Sequence, residues 1–510
     1  MLSKIQSFGV CGLDAYPLTI EVDVAHGLPS VTVVGLPDNA VKESKERVRS
    51  AIKNSGYKFP AERITVNLAP ADIKKEGPSF DLAISLGILA ATNQIDSSSL
   101  GEYIILGELA LDGQIRPVTG ALSVAMSAFS NKFRGLILPY RNAAEAAMAK
   151  KIPVYPVKTL TQVIQLLKEP SSVDPFKINI PDLFKNANHY EIDFADVKGQ
   201  THVKRGLEVA AAGGHNCLLI GPPGSGKTML AKRLPTILPD ITLEEALETT
   251  RIHSVVGMIR PELGIITTRP FRSPHHTTSD VALVGGGSIP KPGEVSLAHN
   301  GILFLDELPE FHRDVLESLR QPLEDHCVTV SRASKSSRFP SKFMLVAAMN
   351  PCPCGWHTDL KKECYCTPQK IQKYLSKISG PLLDRIDIHL DVPSVKYRDL
   401  ISNISNETSQ QIKSRTLNAR KIQKERFKEP GVFCNAQMSH ADIKKHCPID
   451  EEGRNLLKMA LEELGLSARA YDKILKISRT IGDLAGAEQI LPEHIAEAIQ
   501  YRSLDRNLWA

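Results

Sequence analysis

The chain switches between two hydrophobic periods, and the switches divide it into regions. Ile20-Glu21-Val22-Asp23-Val24 alternates apolar and polar residues as a half-buried strand does, and residues 30–34 and 64–68 are further β-rich runs. A helix is expected from about residue 79 to 91. Leu111-Asp112-Gly113-Gln114 is a hairpin signal between two strand-like runs. Two strand-then-helix units follow, 135–138 into 143–150 and 154–156 into 160–167. Residues 1–170 thus predict an α/β or α+β domain of their own. Pro170, Pro175 and Pro181 in polar sequence without strong periodicity mark residues 171–189 as a linker. From 190 to 393 the strands change character. Residues 217–220, 302–305 and 343–348 are continuous apolar runs, the pattern of parallel strands covered on both faces. Residues 394–510, rich in Lys, Glu, Leu and Ala, predict a helical C-terminal region. The expected fold class is α/β multidomain.

Composition narrows this little. A chain of 510 residues exceeds one hydrophobic core, so about two to four domains are expected. Apolar content of 42% and charged content of 23% are those of a soluble globular protein. No apolar run reaches membrane-spanning length, and the first residues lack the apolar segment of a signal peptide, so a cytoplasmic location without membrane contact is expected. A net charge of +5 permits nucleic-acid binding without arguing for it, so any DNA contact must come from local loops. Nine cysteines in such a chain do not suggest a disulfide framework.

Residues 221–228 carry the most specific chemistry: Gly221-Pro222-Pro223-Gly224-Ser225-Gly226-Lys227-Thr228, a G-x-x-x-x-G-K-T phosphate loop between a strand-like and a helix-forming run. The glycines let successive backbone N–H groups point at phosphate oxygens, and the helix N-terminus adds partial positive charge. Lys227 is expected to reach the β- and γ-phosphates of ATP, and Thr228 to ligate Mg²⁺. The 302–305 run ends in Asp306 and Glu307; Asp306 suits Mg²⁺, and Glu307 suits polarisation of the attacking water. Asn350, at the tip of the next strand, suits orientation of that water. Cys352, Cys354, Cys364 and Cys366 form C-x-C…C-x-C, a set fit for tetrahedral Zn²⁺, with His357 as an alternative ligand.

The motifs GPPGSGKT, ILFLDE, AAMN and GPLLDRID, in this order, resemble those of the AAA+ ATPases, in the clade of magnesium-chelatase motor subunits and MCM helicases. RPFRSPHHT, GEVSLAHNGILFLDEL, AAMNPCPCG and SGPLLDRIDIH are similar to the YifB/ComM family of magnesium chelatase-like proteins along essentially the whole chain. The resemblance implies an AAA+ P-loop domain at 190–393 and a helical lid at 394–510. It further implies a homo-hexameric ring with ATP between subunits. Arg385 then matches the arginine finger that acts on the neighbour's ATP, and Arg469 the sensor arginine of the lid. The 285–293 loop fits a pore insertion. Residues 328–332 and 339–345 fit the arms of a hairpin whose tip, 333–338, carries Lys335 and Arg338. These two, with Lys291, are the DNA-backbone candidates.

The first 170 residues resemble the Lon-protease fold (S5-type α+β), with Ser79 at the nucleophile position. Leu122 falls where the Lon base is a lysine, so no peptidase activity is expected and Ser79 is expected to cap a helix instead. The function implied is an ATP-driven DNA motor, a branch-migration helicase. It would promote integration of incoming single strands in natural transformation and homologous recombination, with single-stranded and branched DNA and recombination proteins as partners. The alternative is a chelatase-like or protein-remodelling AAA+ ATPase that does not act on DNA.

Overall fold

The structure, a computed structural model, describes residues 1–75, 77–128, 133–187, 190–287, 290–332, 335–357, 359, 362–395, 406–427, 432–464 and 467–504. It is a mixed α/β architecture with two main sheets and a helical C-terminal region.

Among the described residues, seven strands form the first sheet, in the order Ser30–Val34, Arg63–Ala69, Asp14–Ala25, Leu2–Cys11, Tyr103–Ile105, Gly135–Pro139 and Val154–Val157. Leu2–Cys11 and Asp14–Ala25 form a long antiparallel hairpin in register from Leu2↔Asp23 to Cys11↔Asp14. Helix Asp81–Ala91 is buried along its whole length beneath this sheet, which is why its sequence is apolar all round. The 111–114 turn does join two short strands, with Leu109 opposite Ile115. The segment expected as a linker contains helix Ile180–Ala187, whose Ile180 is buried with Leu122, Ile241 and Ile265. Pro181 sits in its first turn, where a missing N–H costs nothing, so proline there does not signal a break.

Among the described residues, the second sheet holds five parallel strands, in the order Phe271–Arg272, Ile302–Leu305, Met344–Met349, Cys217–Ile220 and Ile388–Asp391. Cys217–Ile220, Ile302–Leu305 and Met344–Met349 are buried at every position, as their continuous apolar sequence demands. Met344–Met349 is thus the central strand, and Cys217–Ile220 lies between it and Ile388–Asp391. The C-terminal helices Ser409–Arg426, Ala468–Leu484 and Pro492–Gln500 share the core beneath this sheet through Ile412, Ile474, Ile477 and Ile495. Among the described residues, no helix is long and apolar enough to cross a membrane.

The hairpin differs from the sequence expectation. Its arms are Cys327–Arg332 and Lys335–Pro340, in register from Cys327↔Pro340 to Arg332↔Lys335. Met344 and Leu345 belong to the parallel sheet instead. Arg338 therefore lies on an arm, opposite Thr329, and not at the tip. The side chain of Lys335 and residues 333–334 lie outside the described residues.

Candidate nucleotide site

The strand Cys217–Ile220 runs straight into the glycine loop, and the loop into helix Lys227–Arg233. Gly221 donates its N–H to Met349 O at 3.2 Å, and a β-carbon there would lie 2.1 Å from Val392 O, so no side chain fits. Gly224 and Gly226 take φ of +75° and +91°, which curls the loop over its own helix N-terminus. The loop closes one side of a cavity of about 420 Å³. Residues 223–229 line it together with Asp306, Glu307, Met349 and Asn350. Three sequence motifs more than 40 positions apart thus converge on one concave site.

The polar groups are already organised toward one another. Thr228 Oγ1 donates to Asp306 Oδ2 at 2.6 Å, placing a hydroxyl and a carboxylate side by side as a divalent cation requires. Lys227 Nζ donates to Gly221 O at 2.7 Å, Pro222 O at 2.9 Å and Asn350 Oδ1 at 3.1 Å. Burial lowers the Lys227 pKa, against the pull of the Asp306 and Glu307 charges. An anion in the loop would relieve that cost. Ser225 Oγ is buried with no hydrogen-bond partner, a further group the loop leaves for a ligand. The residues present therefore fit a phosphate chain with its cation.

Glu307 adopts φ 53°, ψ 48°, a left-handed conformation unusual for a side chain of its size. Its carboxylate lines the cavity, and His276 Nδ1 lies 3.4 Å from its Oε2. The sequence reading gave His276 no role of its own. It likewise missed Gln200, which at φ 54° donates from Nε2 to Ser225 O and Pro393 O at 2.8 and 2.9 Å and holds the loop from below. The contact with Glu307 reveals His276, and the positive φ with its long-range hydrogen bonds reveals Gln200.

Neither arginine lines the cavity of its own chain. Arg385 bonds Pro381 O and Glu324, and its Nε is buried without a partner. Arg469 follows Ser467, the N-cap of Ala468–Leu484; it is 63% exposed and its Nη1 lies 4.0 Å from Asp384 Oδ2. The segment around Arg385 is tied to both core and helices. Asn216 Nδ2 donates to Arg385 O at 3.0 Å, and Lys473 Nζ lies 3.0 Å from Asp387 Oδ1. Burial would raise the Asp387 pKa, but Lys473 and His215 hold it well below the carboxylate range.

The four cysteines come together. Their sulfurs all lie within 4.8 Å of one another, with Cys352–Cys354 at 3.3 Å, Cys354–Cys364 at 3.6 Å and Cys352–Cys364 at 3.7 Å. Tetrahedral Zn–S bonds of about 2.3 Å require S···S edges of about 3.8 Å, so the donor set fits zinc. Gly355 N–H donates to Cys352 Sγ at 3.2 Å. Burial opposes ionisation of Cys354, but the Trp356 and Tyr365 N–H groups and neighbouring thiols bring its pKa down to about 6. His357 does not join the set: its side chain is exposed, and it is its backbone that bonds Cys352.

Lys291, exposed, lies on a short strand paired with Gly285–Gly286; residues 288–289 of that loop lie outside the described residues. Ser79 is not a helix cap. It sits inside the 3₁₀ turn Pro78–Phe80, and helix Asp81–Ala91 begins after Phe80 with no side-chain cap. The Asp81 carboxylate replaces it: buried and bonded to Arg47 Nε at 2.7 Å, it brings the favourable first-turn negative charge. Leu122 is fully buried against the neighbouring domain.

Comparison with known families agrees over the whole length. The family models for "Magnesium chelatase, subunit ChlI", "Subunit ChlI of Mg-chelatase" and "Magnesium chelatase, subunit ChlI C-terminal" match residues 193–400, 20–142 and 406–502. The competence protein ComM of Haemophilus influenzae is 46% identical, over 99% of this chain and 98% of its own. The protein YifB of Salmonella typhimurium is 45% identical over the same shares. Lon protease 2 of Bacillus subtilis is 29% identical over 144 residues, 27% of this chain and 25% of its own. By its cavity motifs and by full-length identity, the chain belongs to the YifB/ComM family of magnesium chelatase-like proteins.

Proposed function

We propose that this chain is an ATP-hydrolysing motor of the AAA+ type that moves branched DNA. The observation that carries the ATPase half is the convergence of Lys227, Thr228, Asp306, Glu307 and Asn350 on one cavity behind a glycine loop. Lys227 and the loop N–H groups hold the phosphates, and Thr228 with Asp306 holds Mg²⁺, which supplies charge neutralisation at the phosphoryl group. Glu307 accepts a proton from the attacking water, and Asn350 orients that water. Lys227 leaves the Gly221 and Pro222 carbonyls to meet the phosphates, while Asn350 keeps a bond to it.

Arg385 completes the site of the next subunit in a homo-hexamer. Its place outside its own chain's cavity supports action in trans, where its guanidinium meets charge developing on the transferred phosphoryl group. Arg469 acts from the helical lid, 394–510. The four cysteines hold a structural Zn²⁺ between Asn350 and Arg385. Residues 1–170 form a Lon-like domain without peptidase activity; the partial identity to a Lon protease supports the fold, and Leu122 in place of a lysine supports the inactivity.

The DNA half rests on the exposed Arg338 and Lys291 and on the competence protein among the relatives. The substrate class is branched DNA with a single-stranded arm, as arises when an incoming strand invades a duplex. The test is ATP-dependent branch migration of a labelled four-way junction by the purified chain, with Glu307→Gln as the blank. Migration by the wild type alone supports the proposal. A wild type that hydrolyses ATP but leaves the junction unmoved refutes its DNA half.

A further inference from the structure

The N-terminal domain touches the 327–340 hairpin directly. The turn between strands Leu2–Cys11 and Asp14–Ala25 is Gly12-Leu13. Leu13 is 9% exposed and packs in one apolar cluster with Val328, Val330 and Phe339. Gly12 takes φ +60°, and a β-carbon there would sit 2.9 Å from Ser337 Oγ and 3.8 Å from Phe339 Cζ, so the turn lies flat against the hairpin. Arg251, on helix Leu243–Val255, grips the same turn from the other side. Its Nε donates to Leu13 O at 3.0 Å and to Ser123 Oγ at 3.3 Å, and its Nη2 to Asp14 Oδ1 at 2.7 Å.

The hairpin register separates two faces. Val328↔Phe339 and Val330↔Ser337 lie on the face toward Gly12-Leu13; Thr329↔Arg338 and Ser331↔Ser336 lie on the exposed face. A two-stranded ribbon is marginal alone and needs packing on one face to hold its shape. Here a separate domain supplies part of that packing, and the cationic side chain projects from the opposite face.

We propose that the N-terminal domain is a brace: its Gly12-Leu13 turn, clamped by Arg251, holds the 327–340 hairpin in the geometry that meets the DNA backbone. This rests on the DNA reading of that hairpin, and it gives a peptidase-like fold without its lysine a mechanical task. A preordered hairpin loses little further freedom on binding; an unbraced one must be ordered by the DNA itself, and its affinity falls. Leu13 and Arg251 are positioning residues here, and neither lines the nucleotide cavity.

The experiment compares full-length wild type, Leu13→Ala and Arg251→Ala, with Leu28→Ala, at an 89% exposed position elsewhere in the domain, as control. Amide hydrogen exchange is read in peptides from the hairpin and from the Cys217–Ile220 strand. ATP hydrolysis is read against concentration of a forked oligonucleotide. The brace predicts faster exchange in the hairpin only. It also predicts a rise on the order of fivefold in the DNA concentration giving half-maximal stimulation, with DNA-free kcat and the KM for ATP unchanged. Unchanged hairpin exchange in both variants overturns the brace. So does faster exchange with an unaltered DNA response, or an equal loss of DNA-free and DNA-stimulated hydrolysis. A wild type whose hydrolysis ignores DNA refutes the parent reading instead, and the exchange measurement alone then decides whether the turn holds the hairpin.

Discussion

Lys227 is the residue on which the nucleotide account rests most heavily. Its ammonium makes three hydrogen bonds in a partly buried loop and carries a pKa lowered by burial, so it is held where an anion would be welcome. Lys227→Ala removes a charge-assisted contact worth about 1.5–3 kcal/mol, and ATP affinity should fall about 10- to 100-fold, read by fluorescent-nucleotide titration. Unchanged affinity would place the nucleotide elsewhere. Glu307→Gln keeps the shape but removes the base. ATP should still bind, while kcat falls on the order of 10²–10⁴-fold. These residues were legible in the sequence because phosphate chemistry fixes their types and spacing. His276 and Gln200 were not: RPFRSPHHT marks the family without assigning His276 any chemistry, and Gln200 reaches the loop from a segment without a motif.

At the scale of elements, legibility follows how closely burial tracks apolarity. Residues 30–34 and 217–220 were read to the residue because their patterns are regular. The strand Leu2–Cys11 escaped because Ser3 and Ser7 occupy its buried face. Ser3 Oγ bonds Gly87 O and Ser7 Oγ bonds Ile105 O, both at 2.8 Å, so the polar groups are satisfied and the alternation is disguised. Helix Ile180–Ala187 was hidden by Pro181 and the prolines that precede it, and the hairpin arms were misplaced because an apolar run, 343–345, also suited a strand in the parallel sheet. Helix Ala468–Leu484 carries a buried polar anchor that composition does not show: Asp483 takes hydrogen bonds from Arg426 and Arg479 and is 0% exposed. Asp483→Ala leaves two guanidinium groups without their carboxylate, and the cost should be about 3–5 kcal/mol in denaturant unfolding of the lid. A loss under about 1 kcal/mol would show that water or rearrangement satisfies them. The cysteine loop makes a parallel prediction. Elemental analysis of untagged protein should find about one zinc per chain, falling in Cys364→Ser, and less than about half would contradict the site.

The whole-molecule claim is that each ATP is worked on by two subunits. Arg385 lies off its own cavity, yet its segment is bonded through Asn216 and Asp387 to the strand that leads into the glycine loop and to helix Ala468–Leu484. In the proposed ring, that link would pass the state of one cavity to the next. Glu307→Gln and Arg385→Ala chains, each inactive, should regain activity when mixed. An interface is complete when the first supplies the arginine and the second the glutamate, about a quarter of interfaces at equal mixing. No recovery would mean that Arg385 acts within its own chain. The most direct test of the motor itself is steady-state ATP hydrolysis with and without a four-way DNA junction, with Glu307→Gln as the blank. The account predicts hydrolysis in the wild type alone, raised severalfold or more by the junction (roughly 1 kcal/mol or more of coupling). Robust hydrolysis that no DNA alters would contradict it and leave a chelatase-like or protein-remodelling ATPase.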